Sequence, residues 1–187
     1  MKSMIECLRD NPVIAAVNSD EGLEAALESD CEVVFILQSS VVTIAAQVER
    51  IKASGKKALA HIDLIDGFAS REVAVDALRA MCAPDGVIST KPPILRRAHQ
   101  LGLTTVQRVF AIDSKSIAGL RNLSETGKPD FIEIMPGLIP RVLHAAHELT
   151  GIPVIAGGLI EEKAEVIEAL AAGAVAVSTS HQGVWQM

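Results

Sequence analysis

Ile155-Ala156-Gly157-Gly158-Leu159 and Ala176-Val177-Ser178-Thr179-Ser180 each read as a short buried strand that runs into small, hydrogen-bond-rich residues. The two stretches lie about twenty positions apart. That spacing leaves room for one helix, which makes them consecutive strands of a parallel α/β fold. In a barrel of alternating strands and helices, the ends of the last two strands are the usual seat of a phosphate group. Glycine lets the backbone approach an anion closely, and N–H groups opening a following helix can point at it. Gly157, Gly158, Ser178, Thr179 and Ser180 are therefore the candidate phosphate-binding residues.

Reading outward from this pair, the same alternation runs through the whole chain. Strands are predicted at Val13–Val17, Val33–Leu37, Ala58–Asp63, Gly86–Ser89, Thr104–Ile112, Asp130–Met135, Pro153–Ala156 and Ala174–Ser178. They are short and apolar, as strands covered on both faces should be. Helical spacing fills the intervals. Ser40–Lys52 ends before Gly55, Ser70 is placed to cap Arg71–Met81, and Pro92 and Pro93 suit the first turn of a helix that stops at Gly102. Glu161–Ala172 opens with two acids and stops at Gly173. Eight strands in strict alternation predict a compact TIM (β/α)8-type barrel formed by residues 1–187 as a single domain. Only nine residues follow Ser178, so the eighth helix is missing or truncated. Trp185 is the candidate to plug that gap, and Met4, Ile5 and Leu8 suggest an N-terminal helix covering the barrel bottom. Helix faces left uncovered by the missing helix would favour a homodimer.

Composition narrows the functional classes. Cys7, Cys31 and Cys82 are odd in number and form no CxxC pair, so neither a disulfide framework nor a zinc site is expected. No apolar run is long enough for a membrane span, and the N-terminus lacks the apolar core of a signal peptide, which predicts a cytoplasmic protein with no membrane partner. The formal net charge is −6, unfavourable for nucleic acid overall. Residues 86–128, however, hold seven basic and two acidic residues, a net +5. Such a stretch can meet the phosphates of a small ligand or of RNA, or form a solvated face.

Barrel chemistry gathers at the C-terminal strand ends. The third strand ends in His61-Ile62-Asp63, and alternation puts His61 and Asp63 on one side. Asp63 could hold a ligand hydroxyl, act as a base, bind a metal, cap a loop or join a salt bridge. Lys91 follows the fourth strand and points over the mouth. Arg108, inside the fifth, needs an acid or an anionic ligand. Glu133 shares a side with Phe131 and Met135, predicted inward, while Ile132 and Ile134 face the helices. A Glu133–Arg108 or Glu133–Lys91 pair would be structural, part of a ligand site, or both. Asp63, Lys91, Arg108, Glu133 and Gly137 are the candidate ligand-binding residues. His144 and His147 could share a metal, but no further ligands accompany them, so no metal and no cofactor are expected. There is no GxSxG, HExxH or P-loop motif.

The chain resembles the glycerol-3-phosphate-responsive antiterminators, the glycerol uptake operon regulators. The resemblance runs nearly end to end. It is carried by His61-Ile-Asp-Leu-Ile-Asp-Gly67, Ile88-Ser-Thr-Lys91, Gln107-Arg108, Asp130-Phe-Ile-Glu-Ile-Met-Pro-Gly137, Gly151-Ile-Pro-Val-Ile-Ala-Gly-Gly158 and Ala172-Gly-Ala-Val-Ala-Val-Ser-Thr-Ser180. It implies a regulator, not an enzyme, that senses glycerol 3-phosphate and promotes transcription antitermination on the leader RNA of a glycerol operon. The glycine pair and the Ser-Thr-Ser end are where the family pattern implies phosphate binding. The aromatics Phe35, Phe68, Phe110, Phe131 and Trp185 read mostly as core or strand-end residues, so no stacking platform for RNA is visible. RNA contact would then rest on the basic stretch, with Arg96 and Arg97 as candidates. The alternative is an isomerase or lyase acting on a small phosphorylated polyol in the same mouth, with Asp63 and Glu133 as acid and base.

Overall fold

A computed structural model of the chain describes residues 2–124 and 128–186. Eight strands close into one parallel barrel: β1 Val13–Val17, β2 Val33–Ile36, β3 Lys57–His61, β4 Gly86–Ser89, β5 Thr104–Phe110, β6 Phe131–Met135, β7 Val154–Gly157 and β8 Ala176–Thr179. Each strand pairs with its neighbours in chain order, and β8 closes on β1. The predicted barrel is thus the observed one.

Alternation sorts the strand residues into two layers. Phe35, Leu59, Ile88, Val106, Phe131, Ile155 and Ala176 fill the barrel interior. Val34, Ala60, Val87, Ile132, Val154 and Val177 face outward into the helix–sheet layer. The helices that cover them are α2 Asp20–Glu28, α3 Ile44–Ala53, α4 Val73–Cys82, α5 Pro92–Gln100, α6 Ser114–Gly119, α7 Pro140–Thr150 and α8 Lys163–Ala171. Fully buried side chains of the size of Phe35 or Leu59 each contribute roughly 1.5–3 kcal/mol.

The bottom is sealed by α1, Met4–Asp10. Ser3 and Glu6 form a reciprocal capping box, which starts this helix without help from a preceding turn. Met4, Cys7 and Leu8 lie one helical turn apart and pack into the interior layer. Ile5 does not join them. It is 36 % exposed, because its helix face turns away from the barrel.

At the other end of the chain, β8 is followed by a single 3-10 turn, Gln182–Val184. Trp185 is buried, and its indole Nε1 donates to the Thr179 carbonyl at 2.8 Å. Its own carbonyl accepts from the Cys31 thiol. One aromatic side chain thus covers surface that an eighth helix would otherwise bury.

Several boundaries differ from the sequence reading. Ser39–Ser40 pairs with Ile65–Asp66 in a two-stranded ribbon, so α3 begins at Ile44 and not at Ser40. Ser70 caps nothing; α4 begins at Val73, and the Ser70 hydroxyl accepts from Lys91 instead. Glu161 and Glu162 precede α8, where Glu165 reaches back to both of their backbone N–H groups. β3 ends at His61 because Ile62–Leu64 turns into a 3-10 helix.

Candidate functional site

The inward residues change from apolar to polar at the C-terminal mouth. Register places Arg108 beside Glu133 on adjoining strands. The Arg108 Nε donates to Glu133 Oε2 at 2.6 Å, and the Ser178 hydroxyl donates to Glu133 Oε1 at 2.5 Å. Arg108 is 7 % exposed and Glu133 fully buried. A buried charge survives only when paired and hydrogen-bonded, and here one carboxylate is shared by a guanidinium and a hydroxyl from two sides of the barrel. Among the described residues, no acceptor meets the two terminal nitrogens of Arg108. Gly157 is what makes the cluster fit: a Cβ there would stand 2.6 Å from Glu133 Oε1 and 2.8 Å from Ser178 Oγ.

A cavity of about 310 Å³ opens above this cluster, lined by Leu37, Arg108, Glu133, Ser178, Ser180 and His181 among others. Its volume suits a small metabolite. The β7–α8 loop forms one wall. Gly158 has φ +75, and a Cβ there would strike Met135 at 2.7 Å. Leu159 follows with φ +62 and is 70 % exposed. A leucine in the left-handed region is strained, a condition found mostly where the surrounding structure fixes a functional loop. The Thr179 hydroxyl donates to the Ile160 carbonyl at 2.5 Å and accepts from the His181 N–H, tying that loop to the end of β8. Ser180 is exposed at the cavity edge.

Asp63 lies elsewhere on the rim. The alternation that put it beside His61 fails, since the 3-10 turn swings it toward the β4–α5 loop. It accepts from the Ser89 hydroxyl, the Thr90 hydroxyl and, at 2.8 Å, the Thr90 N–H. Burial opposes its ionisation, but these donors and Lys91 outweigh burial and hold the carboxyl below the usual carboxylate range. Lys91 stands 3.7 Å from Asp63 and donates to Ser70 at 2.5 Å, with 43 % of its side chain exposed. Through these contacts the two residues tie the loops after β3 and β4 together. Gly137 faces strand, not cavity: its N–H donates to the Gly157 carbonyl, and a Cβ would stand 2.8 Å from the Gly157 nitrogen.

The basic stretch is divided. Arg97 is ion-paired with Asp76 of α4. Arg96 lines a separate groove of about 410 Å³ with His99, Gln100, Thr105 and Lys128. Phe110, read as a strand-end residue, is 49 % exposed on the mouth rim. No group of three or more His, Cys, Asp or Glu is placed to hold a metal among the described residues, His144 and His147 included. No helix among them is long and apolar enough to cross a membrane.

Residues 13–185 match the family model described as glycerol-3-phosphate responsive antiterminator. The chain belongs to that family. It is 38 % identical over 184 residues to the uncharacterized protein YgcP of Escherichia coli (strain K12), covering 98 % of this chain and 96 % of that one. The glycerol uptake operon antiterminator regulatory protein of Listeria monocytogenes superposes with a TM-score of 0.89 at 36 % identity, over 94 % of this chain and 95 % of that chain. A glycerol uptake operon antiterminator-related protein of Thermotoga maritima gives 0.83 at 30 % identity, over 94 % and 98 %. This antiterminator family is a regulatory one, which sets the enzyme alternative aside.

One buried polar residue at the end of β3 has no role in the sequence reading. His61 closes the inward face of β3 and is 3 % exposed. Burial first, and the Arg108 charge second, push its pKa down to about 4. Its Nδ1 is buried with no hydrogen-bond partner among the described residues. The period-2 position shared with Leu59 signals its direction. Nothing in the sequence signals the missing partner.

Proposed function

We propose that glycerol 3-phosphate binds in the barrel mouth and that the liganded protein promotes antitermination by binding the leader RNA of a glycerol operon. The observation that carries the ligand half is the buried Arg108–Glu133–Ser178 cluster, with two guanidinium nitrogens that meet no acceptor among the described residues, beneath a cavity of metabolite size. A desolvated guanidinium with open donors favours an anion, and a carboxylate beside it favours hydroxyls. The phosphate lies at the ends of β7 and β8, against Gly157, Gly158, Ser178, Thr179 and Ser180. Gly158 admits the backbone and the Ser180 hydroxyl donates, while Ser178, whose own proton goes to Glu133, and Gly157, which makes room for both, set the floor beneath it, and Thr179 fixes the loop. Arg108 turns its open donors to the phosphate and Glu133 takes the polyol end, while Asp63, Lys91 and Gly137 act on the ligand by shaping the rim.

Family membership supports the RNA half. Ligand and RNA are then coupled, and each raises the affinity of the other by the same factor. Arg96 and Arg97 are the two basic candidates, and Arg97 would have to leave Asp76 to meet a phosphate. Calorimetry with glycerol 3-phosphate and with glycerol tests the first half; equal affinity for the two would remove the phosphate site. Leader-RNA binding measured with and without the ligand tests the second half. The RNA affinity should rise with ligand and fall with salt as counterions are released. An RNA affinity indifferent to both would overturn it.

A further inference from the structure

We infer that His61 reads the end of the ligand opposite the phosphate, by a hydrogen bond from its side chain to the terminal hydroxyl. The inference rests on the glycerol phosphate reading above and adds a specificity residue to it.

The closed strand order puts β3 four strands from β7 in either direction, so His61 stands across the barrel from Gly157. A phosphate anchored at the β7–β8 rim therefore directs the far end of a short polyol toward β3. His61 is the next inward position of β3 after Leu59, paired in register with Ile88 of β4, at the end of the strand. Buried polar atoms are nearly always hydrogen-bonded, and each exception asks for a partner. Nδ1 of His61 is such an exception, the one found among the buried side chains described.

The charge state fits the task. Burial first, then Arg108 from β5 and in smaller part Lys91 beyond β4, disfavour the imidazolium, and Asp63 on the 3-10 turn opposes them only in part. A neutral imidazole has one donor and one acceptor nitrogen, and an alcohol hydroxyl can answer either. A cationic side chain there would compete with Arg108 for the phosphate and would favour a carboxylate at the ligand's far end. Neutral His61 favours an uncharged alcohol instead.

The test pairs two ligands with three proteins. Glycerol 3-phosphate is compared with 1,2-propanediol phosphate, which lacks the terminal hydroxyl, on the unaltered protein, His61→Leu and His61→Asn. The unaltered protein should prefer glycerol 3-phosphate by about tenfold or more, the worth of one buried hydrogen bond. His61→Leu should lose that preference, binding both phosphates alike. His61→Asn, whose amide can take the place of Nδ1, should keep most of it. Equal losses for both ligands in His61→Leu, or an undiminished preference, would overturn the inference. Nitrogen-15 NMR of the imidazole in the unaltered protein gives a reading that does not depend on the variants folding. Nδ1 should shift with glycerol 3-phosphate and stay put with the deoxy analogue, and identical shifts would overturn the assignment. If neither phosphate binds the unaltered protein, the glycerol phosphate reading itself fails, and this one with it.

Discussion

Two carboxylate–cation pairs sit on the same mouth and are used in opposite ways. At the β3–β4 side, Asp63 is saturated by Ser89 and Thr90, and Lys91 leans outward to Ser70. At the β5–β6 side, Glu133 and Arg108 are buried, and two nitrogens of the cation meet no acceptor among the described residues. The residue types hardly differ. What differs is whether backbone donors reach the carboxylate before the cation does. A carboxylate that meets a loop becomes a staple, and its lysine is left to solvent. A carboxylate held inside a strand meets only side chains, so its arginine stays buried and keeps capacity for a ligand.

The contrast can be broken most directly at Glu133. Glu133→Ala strands a buried guanidinium and should cost about 3–5 kcal/mol in urea denaturation. A loss under 1 kcal/mol would mean that the pair is far better solvated than its burial implies. Next in size is an effect of pH. The folded protein holds His61 near pKa 4, against 6.5 for an unperturbed histidine. Between these values the unfolded chain takes up a proton that the folded chain refuses. Stability present above pH 6.5 should therefore fall as the pH drops toward 4, by about 3 kcal/mol in all, and then gain nothing further from this group. His61→Leu should flatten that window in denaturation midpoints taken across it.

On the other side of the mouth the effects shrink. Asp63→Ala leaves the Thr90 N–H and two hydroxyls without their acceptor and should cost about 1–3 kcal/mol. Ligand affinity measured by calorimetry should change little, and a loss as large as that of an Arg108 variant would make Asp63 a ligand residue after all. Lys91→Ala removes a half-exposed, loosely held partner and should move stability by no more than about 0.5 kcal/mol.

These two regions also mark how far the sequence could be read. Period-2 counting predicts Glu133 inward with Phe131 and outward Ile132 and Ile134, and the barrel agrees, because β6 stays extended through Met135. The same counting misplaces Asp63, because β3 breaks into a 3-10 turn that no residue between His61 and Ile65 announces. Gly157 reads as an anion-approach glycine, yet the space it leaves is taken up by Glu133 and Ser178, side chains of two other strands. Local pattern reveals that a glycine is needed and not which neighbours need it. Leu159 carries no signal of its left-handed backbone, which the tie between Thr179 and the next residue imposes from outside the segment. The barrel repeats one local rule eight times, so it is legible throughout. The mouth depends on contacts between strands distant in the chain, and it is legible only where a strand remains regular to its end.

Trp185 has one more consequence. It is the one tryptophan of a chain without tyrosine, and its indole is bonded to the carbonyl of Thr179. That carbonyl directly precedes Ser180 at the cavity edge. Near-ultraviolet emission from this protein therefore comes from a single buried indole, whose hydrogen bond ends on the same strand end that borders the cavity. The residue that closes the barrel is also a built-in optical reporter. A ligand that moves the β8 terminus should shift or quench its fluorescence, with no label added.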